Sequence, residues 1–453
     1  MHIYILGIAG TFMAGIARIA KEAGFKVSGV DEAIYPPMST QLEEDGIEIF
    51  QGYDAAHLAI KPDLVIIGNA MKRGNVEVEA VLSQQMRFVS APQWLYEHVL
   101  FNRHVLAVSG THGKTTTTNM LAYILTVAGK NPGYLIGGVP KLLKGSAVLG
   151  DAPYFVIEAD EYDTAFFDKR SKFIHYHPKT LLINNLEFDH ADIFNNLDEI
   201  KKQFHYLIRT IPNNGEIIYA YDDDNIRDTL KMGCWSKTTT VGLKQGDWSA
   251  KQVKEDGSQF TICHHNKELA QINWNILGLH NVQNAISAAA CAHSVGIEMK
   301  FIVKALESFE LPARRMEIKG VVNDITIYDD FAHHPTAMRT TLDGLRARVG
   351  KDARIIVCVE MRSYTMRHNV HGAKIIDSLA NANQILIKKP EEISDADLQA
   401  MAKHHPDCHI YNDTDAIIQQ LAKTAKPHDH ILIMSNGAFD GIYNKLLTAL
   451  GRV

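Results

Sequence analysis

Short apolar runs bounded by glycine, proline or charged residues recur along the chain. Between them, apolar residues return every three or four positions. Runs at 2–6, 26–30, 47–50, 64–67 and 87–89 read as strands, with helices at 13–23 and 76–84 among them. The pattern resumes with strands at 104–108, 154–157, 180–184 and 216–219 and helices at 116–128 and 281–295. Between about 238 and 275, polar and apolar residues alternate around Asp-Gly and His-Asn turns, which predicts antiparallel strands. A third series follows Pro312, which breaks the preceding helix. It has strands at 325–328, 354–359, 384–387, 409–411 and 431–434, and helices at 336–349, 395–403, 416–424 and 443–450. Strands alternating with helices specify parallel, doubly wound sheets. The expected fold is therefore α/β with three domains, at 1–103, 104–311 and 312–453.

Composition narrows the class. At 453 residues, 46% hydrophobic and 22% charged, the chain has apolar material for several cores and reads as a soluble globular protein. A net charge of −6 without basic clusters argues against nucleic acid as a partner. No segment reaches the length of a membrane span, and the first residues lack the basic start of a secretion signal. The cysteines (Cys234, Cys263, Cys291, Cys358 and Cys408) are scattered and odd in number. They read as reduced thiols, and the expected location is cytoplasmic.

The chemistry is announced at Gly110-Thr111-His112-Gly113-Lys114-Thr115-Thr116-Thr117, between a predicted strand and a predicted helix. Turn amides and a helix N-terminus face an anion, a lysine neutralises phosphate oxygens, and the next hydroxyl can ligate Mg²⁺. Val108 stands where the general phosphate-loop pattern has its first glycine, so this is a shortened variant. The earlier turn with Gly7, Gly10 and Gly15, followed by Asp31 at the end of the second strand, is similar to a dinucleotide fingerprint. Ala9 occupies a position where that fingerprint requires glycine, which weighs against NAD.

Several motifs in series resemble the Mur ligase family, ATP-dependent enzymes that join amino acids or peptides to UDP-N-acetylmuramic acid. They are GIAGTFMAG at 7–15, GTHGKTTT at 110–117, EADEYD at 158–163, NLEFDH at 185–190, GLHNVQNA at 278–285, Arg314-Arg315, and DDFAHHPT at 329–336. The resemblance implies a Rossmann-like UDP-sugar domain, a central P-loop ATPase-like domain and a Rossmann-like C-terminal domain. It implies ATP contacts from Gly110, Thr111, His112, Gly113, Lys114, Thr115 and Thr116, and from His280, Asn281, Asn284 and Arg315. Gly7, Gly10, Thr11, Phe12, Met13, Asp31 and Asn69 would hold the UDP-sugar. Thr115, Glu158 and His190 would hold Mg²⁺, and Lys114, Arg315, Asp330 and His333 would carry the chemistry. Many relatives also use a carbamylated lysine; the matching position here is His205, with Lys201 and Lys202 out of phase, so no carbamate is expected.

Two branches of the family fit. One adds L-alanine to UDP-N-acetylmuramate in peptidoglycan synthesis; the other recycles the tripeptide L-alanyl-γ-D-glutamyl-meso-diaminopimelate onto the same sugar. GIAGTFMAG, EMRSYTM at 360–366 and SNGAFDG at 435–441 are similar to the tripeptide branch, although Met361 and Tyr364 depart from its usual EPRSNTM. Arg362 and Ser363 are the candidate tripeptide contacts. The reading from another class is a Rossmann oxidoreductase with an incidental GKT turn.

Overall fold

The computed structural model describes residues 1–36 and 38–451. Its strands form three main sheets, each built from a consecutive stretch of chain. In the first, β1 (His2–Leu6) lies between β2 (Lys26–Asp31) and β4 (Leu64–Ile67), with β3 (Glu48–Gln51) and β5 (Phe88–Ser90) outside, all parallel. Residues 3–6 of β1 are all buried, because both faces of a parallel sheet are covered by crossover elements.

The central sheet has ten strands. β6 (His104–Ser109) is flanked in parallel by β9 (Tyr154–Glu158) and β12 (Thr180–Ile183), and β7 (Gly133–Leu135) and β8 (Ala147–Val148) extend the β9 side. A small hairpin, β10 (Asp163–Ala165) and β11 (Asp168–Ser171), stands apart. On the β12 side follow β13 (Glu216–Ala220), β14 (Lys237–Val241), β15 (Trp248–Lys251), β16 (Gln259–His264) and β17 (Lys267–Asn273). On this side, β15, β16 and β17 pair antiparallel, as do β7 and β8 at the other end of the sheet. β14 pairs parallel with β13, which corrects the reading of the whole 238–275 stretch as antiparallel. Its alternation reflects one exposed face near a sheet end, which arises in either pairing.

The third sheet runs β18 (Glu317–Val322), β19 (Ile325–Asp330), β23 (His430–Met434), β20 (Ile355–Glu360), β21 (Gln384–Lys388) and β22 (Cys408–Tyr411), parallel except for the edge strand β18. One apolar cluster is continuous from the first sheet (Ile3, Ile5, Ile66) through Trp94 to one face of the central sheet (Val105, Phe155, Leu181). The C-terminal sheet has clusters of its own. Among the described residues, no helix is long and apolar enough to cross a membrane.

Candidate active site at the junction of three sheets

The strand after which an open α/β sheet reverses its winding leaves a crevice at the carboxyl ends of its neighbours. In the central sheet that strand is β6. The loop after it is bolted to the segment after β12. His112 N–H donates to Asn185 Oδ1 at 2.7 Å, Asn185 Nδ2 donates to the His112 carbonyl at 3.1 Å, and Glu187 N–H donates to Thr111 Oγ1 at 2.8 Å. Gly113 caps the helix Lys114–Val127 at φ +79°, and a Cβ there would lie 2.6 Å from Asn284 Oδ1. Glycine at 113 is thus required twice over, by backbone conformation and by close approach.

Lys114 is folded onto the acidic run. Its Nζ lies 3.3 Å from Asp160 Oδ1 and 3.1 Å from Glu161 Oε2. Burial alone would lower its pKa, but Glu161, Asp160 and Glu158 override this and hold it protonated. Thr115 Oγ1 donates to Glu158 Oε1 at 3.0 Å, and Gly137 N–H donates to Oε2 at 2.7 Å. Burial raises the Glu158 pKa. His190 Nε2 lies 3.1 Å from Glu161 Oε1, and Asp160, Glu161 and His190 bring one donor atom each within 4.8 Å of one another. This oxygen-rich set suits a hard divalent cation, and the Lys114 ammonium already occupies a cation's place among the same carboxylates.

A separate pocket is lined by His280, Asn281, Asn284, Asn185, Thr340 and Arg315, among others. Asn281 Nδ2 donates to the Leu277 carbonyl at 2.7 Å and its Oδ1 accepts from Asn284 Nδ2 at 3.3 Å, which fixes both amides. Burial, then Arg315, depresses the His280 pKa to about 4, so this imidazole is neutral. Thr116 lies on the same wall.

At the first sheet, Gly10, Thr11, Phe12, Met13 and Asn69 share a cavity with Glu158 and Lys172. Gly10 caps the helix Thr11–Glu22 without a side-chain hydrogen bond, leaving its first-turn amides to an incoming anion. Two expected residues have other work. Gly7 N–H donates to the Val30 carbonyl at 2.8 Å, and Asp31 Oδ2 accepts the Ala9 N–H at 2.9 Å. Both shape the turn and do not line this cavity.

The C-terminal sheet contributes the loops after β19, β20 and β23. Arg314 is held by Asp329 (3.3 Å) and by the Ser435 carbonyl (2.7 Å), whereas Arg315 lies over the Phe331 ring at 5.1 Å. Asp330 is saturated locally: Oδ1 accepts the Ala332 N–H at 2.9 Å and Oδ2 the Met316 N–H at 2.8 Å. It positions the loop that bears His333. His333 Nδ1 lies 2.9 Å from the Phe331 carbonyl, an acceptor only, so Nδ1 carries the proton and Nε2 is the basic nitrogen. Burial lowers the His333 pKa. Ser363 Oγ caps a short helix through the Met366 N–H at 3.3 Å. Arg362 is exposed, without an ion-pair partner among the described residues, and lies across Gly437, where a Cβ would come within 2.3 Å of its Cδ.

One large cavity, about 630 Å³, draws on all three sheets: Gly10 and Thr11, Lys114 and Glu158, Arg315 and His333. Most of the motifs therefore converge on this cavity, whereas GLHNVQNA lines the neighbouring pocket, which shares His112, Gly113 and Arg315 with it. Lys201 pairs with Asp228 (3.6 Å) and Lys202 lies over Tyr206, while His205 faces Trp235. Sequence reading passed over Lys172, whose Nζ is 3.3 Å from Asp160 Oδ2 and 5.2 Å from the Phe12 ring. It also left out Glu187 and Thr336, which join the nucleotide loop to the C-terminal sheet. Lys172 directly follows a charged hairpin with nothing local to distinguish it; Glu187 was visible inside NLEFDH.

Comparison with known proteins agrees with this geometry. The chain matches "Mur ligase family, catalytic domain" over residues 2–103, "Mur ligase middle domain" over 108–292 and "Mur ligase, glutamate ligase domain" over 314–437. It is 50% identical over 450 residues to the UDP-N-acetylmuramate–L-alanyl-γ-D-glutamyl-meso-2,6-diaminoheptandioate ligase of Haemophilus influenzae, covering 99% of both chains. The crystal structure of a murein peptide ligase from Psychrobacter arcticus 273-4 superposes with a TM-score of 0.77 at 44% identity, covering 100% of this chain and 99% of that one. A UDP-N-acetylmuramate–L-alanine ligase from Acetivibrio thermocellus is 32% identical, with 96% of this chain and 93% of the relative covered. With three family models matched in succession along its length and a relative 50% identical over 99% of both chains, the chain belongs to the Mur ligase family.

Proposed function

We propose that the protein joins UDP-N-acetylmuramate to L-alanyl-γ-D-glutamyl-meso-diaminopimelate at the expense of ATP, in peptidoglycan recycling in the cytoplasm. End-to-end identity of 50% with a ligase of that name, against 32% with an alanine ligase, is the observation that carries the choice of amine. The five unbonded cysteines accord with a reducing compartment. In this reading the units are residues 1–103 for the UDP-sugar, 104–311 for ATP and 312–453 for closure and the amine.

The first-turn amides of Thr11, Phe12 and Met13 receive the diphosphate of the UDP-sugar, with Asn69 beside them. The Asn281–Asn284 pair and His280 receive the adenine. Lys114 leaves the carboxylates of Asp160 and Glu161 for the γ-phosphate, and Arg315 approaches it from the C-terminal side. Thr115, Glu158 and His190 would hold Mg²⁺, which when bound neutralises charge on the phosphate oxygens. The muramyl carboxylate attacks the γ-phosphoryl group, giving an acyl phosphate and ADP. His333 Nε2 takes the proton of the incoming amine, and the amine displaces phosphate to form the amide. Burial of the site excludes water, which would hydrolyse the acyl phosphate.

Arg362 is the side chain proposed to read the tripeptide. It is an unpaired guanidinium at the carboxyl edge of β20, and the tripeptide carries several carboxylates. Phosphate release should be measured with ATP, Mg²⁺, UDP-N-acetylmuramate and either tripeptide or L-alanine. Wild type should turn over with tripeptide in strong preference, and Arg362→Ala should raise the KM for tripeptide about ten- to a hundredfold, the loss of a charge-assisted hydrogen bond. Preference for L-alanine would overturn the tripeptide reading, and an unchanged KM would remove Arg362 from the site.

A further inference from the structure

A second group of metal-capable side chains lies beside the phosphate loop. His112 Nε2, Glu187 Oε2 and His334 Nδ1 all fall within 4.8 Å of one another. Glu187 Oε2 is 3.3 Å from His112 Nε2 and 3.7 Å from His334 Nδ1. Two ligands on a tetrahedral zinc ion, each about 2.0–2.1 Å from the metal, stand roughly 3.3 Å apart. The separations therefore need only small adjustments to accommodate an ion.

The donors differ in kind from those around Lys114. Two imidazoles and one carboxylate suit a borderline metal such as zinc, whereas Asp160, Glu161 and His190 are mostly oxygen. A third imidazole stands beside the group. The His371 ring lies 4.5 Å from that of His334, and its Nε2 is buried without a hydrogen-bond partner. A surface cavity of about 440 Å³, lined by Glu187, His334, His371 and Lys374, gives an ion access from solvent.

In the metal-free protein these atoms satisfy one another. Glu187 Oε2 accepts from His112 Nε2–H at 3.3 Å and from Thr336 Oγ1–H at 2.8 Å, and His334 Nδ1 accepts the Thr336 N–H at 3.3 Å. Metal capture would use the Nε2 lone pair of His112, its ring proton then residing on Nδ1, and would replace two long contacts, while the Thr336 hydroxyl continues to orient Glu187. Such outer contacts commonly fix a ligand's direction.

We propose that His112, Glu187 and His334 form a transition-metal site of the zinc class that staples the phosphate loop to the C-terminal sheet. His112 follows β6 and Glu187 follows β12 in the central sheet, whereas His334 follows β19 in the C-terminal sheet, so the bound ion would join the two sheets beside the nucleotide pocket. His112 and Glu187 also line the nucleotide pocket, so occupancy holds the junction closed and slows turnover. The site is separate from the Mg²⁺ set and does not depend on which amine is the substrate.

The full chain, in excess Mg²⁺ and without nucleotide, is titrated with Zn²⁺ against a chromophoric chelator, and in parallel with Co²⁺ followed by its visible absorption. One equivalent should bind, with the intense absorption of four-coordinate Co²⁺. His334→Gln and His112→Gln should each weaken binding at least tenfold. His190→Gln, in the oxygen-rich group, should leave it unchanged. Circular dichroism establishes that each variant is folded, and His334→Gln, on a helix-capping residue that glutamine can partly replace, decides the matter if the loop variant is unstable. Absence of one-equivalent binding to wild type, undiminished binding in His334→Gln, or loss of binding in His190→Gln would each overturn the proposal.

Discussion

His190 holds its proton further up the pH scale than a free imidazole does. Burial works against the charge, but the hydrogen bond and charge of Glu161, with Asp189 and Asp160 behind, raise its pKa from 6.5 to about 9. A pKa raised on folding contributes stability that is fully present below the unfolded value and is lost as pH rises through the folded one. The window for this pair is therefore about 6.5 to about 9. In EDTA, the thermal midpoint of wild type should exceed that of His190→Gln at about pH 6, and the gap should close above about pH 9. A gap that does not vary with pH would mean that the pair is not ionic. Because a metal ligand must be deprotonated, the affinity for Mg²⁺ should rise over the same window.

At the scale of elements, the turn between β6 and the helix Lys114–Val127 is the tightest constraint in the site. Gly113→Ala would force a side chain into positive φ, at a cost of about 1–3 kcal/mol. The new methyl group would also displace Asn284, whose Oδ1 lies 2.6 Å from where it would sit. Asn284 is part of the pocket proposed for adenine, so strain and recognition are coupled through one atom. The variant should show a lower thermal midpoint and a KM for ATP raised about tenfold, since a disturbed hydrogen bond costs roughly 1 kcal/mol or more. Affinity for the UDP-sugar should be unchanged, because among the described residues no hydrogen bond or ion pair joins the helix Thr11–Glu22 to this turn. An unaltered KM for ATP would separate Asn284 from nucleotide binding.

At the scale of the whole molecule, the central and C-terminal sheets meet through two kinds of contact. Inside the junction, Thr336 Oγ1 donates to Glu187 Oε2 at 2.8 Å, with Thr365 Oγ1 donating to Asp189 Oδ1 at 3.4 Å nearby. At the rim, Arg348 Nε lies 2.9 Å from Asp256 Oδ2, with the arginine side chain 38% exposed. The Glu187 side chain is itself 36% exposed, so its hydrogen bond is discounted for solvent to about 1–1.5 kcal/mol, whereas the rim ion pair contributes about 0–1 kcal/mol and is screened by salt. Thr336→Val should therefore lower kcat/KM for ATP about five- to tenfold, an effect that persists in high salt. Arg348→Met should lower it less than about fivefold, an effect that disappears in high salt. Equal losses in the two variants would show that closure does not depend on the inner contact.

What the sequence determined by itself is what neighbouring residues decide. The apolar runs of β1, β6, β9 and β12, each closed by glycine or a polar residue, fixed strands and helices and therefore a doubly wound α/β architecture. The order Gly-Lys-Thr at a strand–helix boundary fixed the phosphate loop, since its chemistry lies within a few residues. Tertiary structure decided what depends on distant segments meeting. It set β14 parallel, because pairing depends on the strand beside it. It gave Lys114 to Asp160 and Glu161 and left Glu158 to Thr115, a division that a run of carboxylates does not display. It assigned Asp31, Asp330 and Ser363 to backbone amides, leaving Arg362 and Arg315 without an ion-pair partner among the described residues. It also brought His112, Glu187 and His334 together across separations of 75 and 147 residues. Periodicity records which side of an element is buried; only the packed sheets record which side chains meet there.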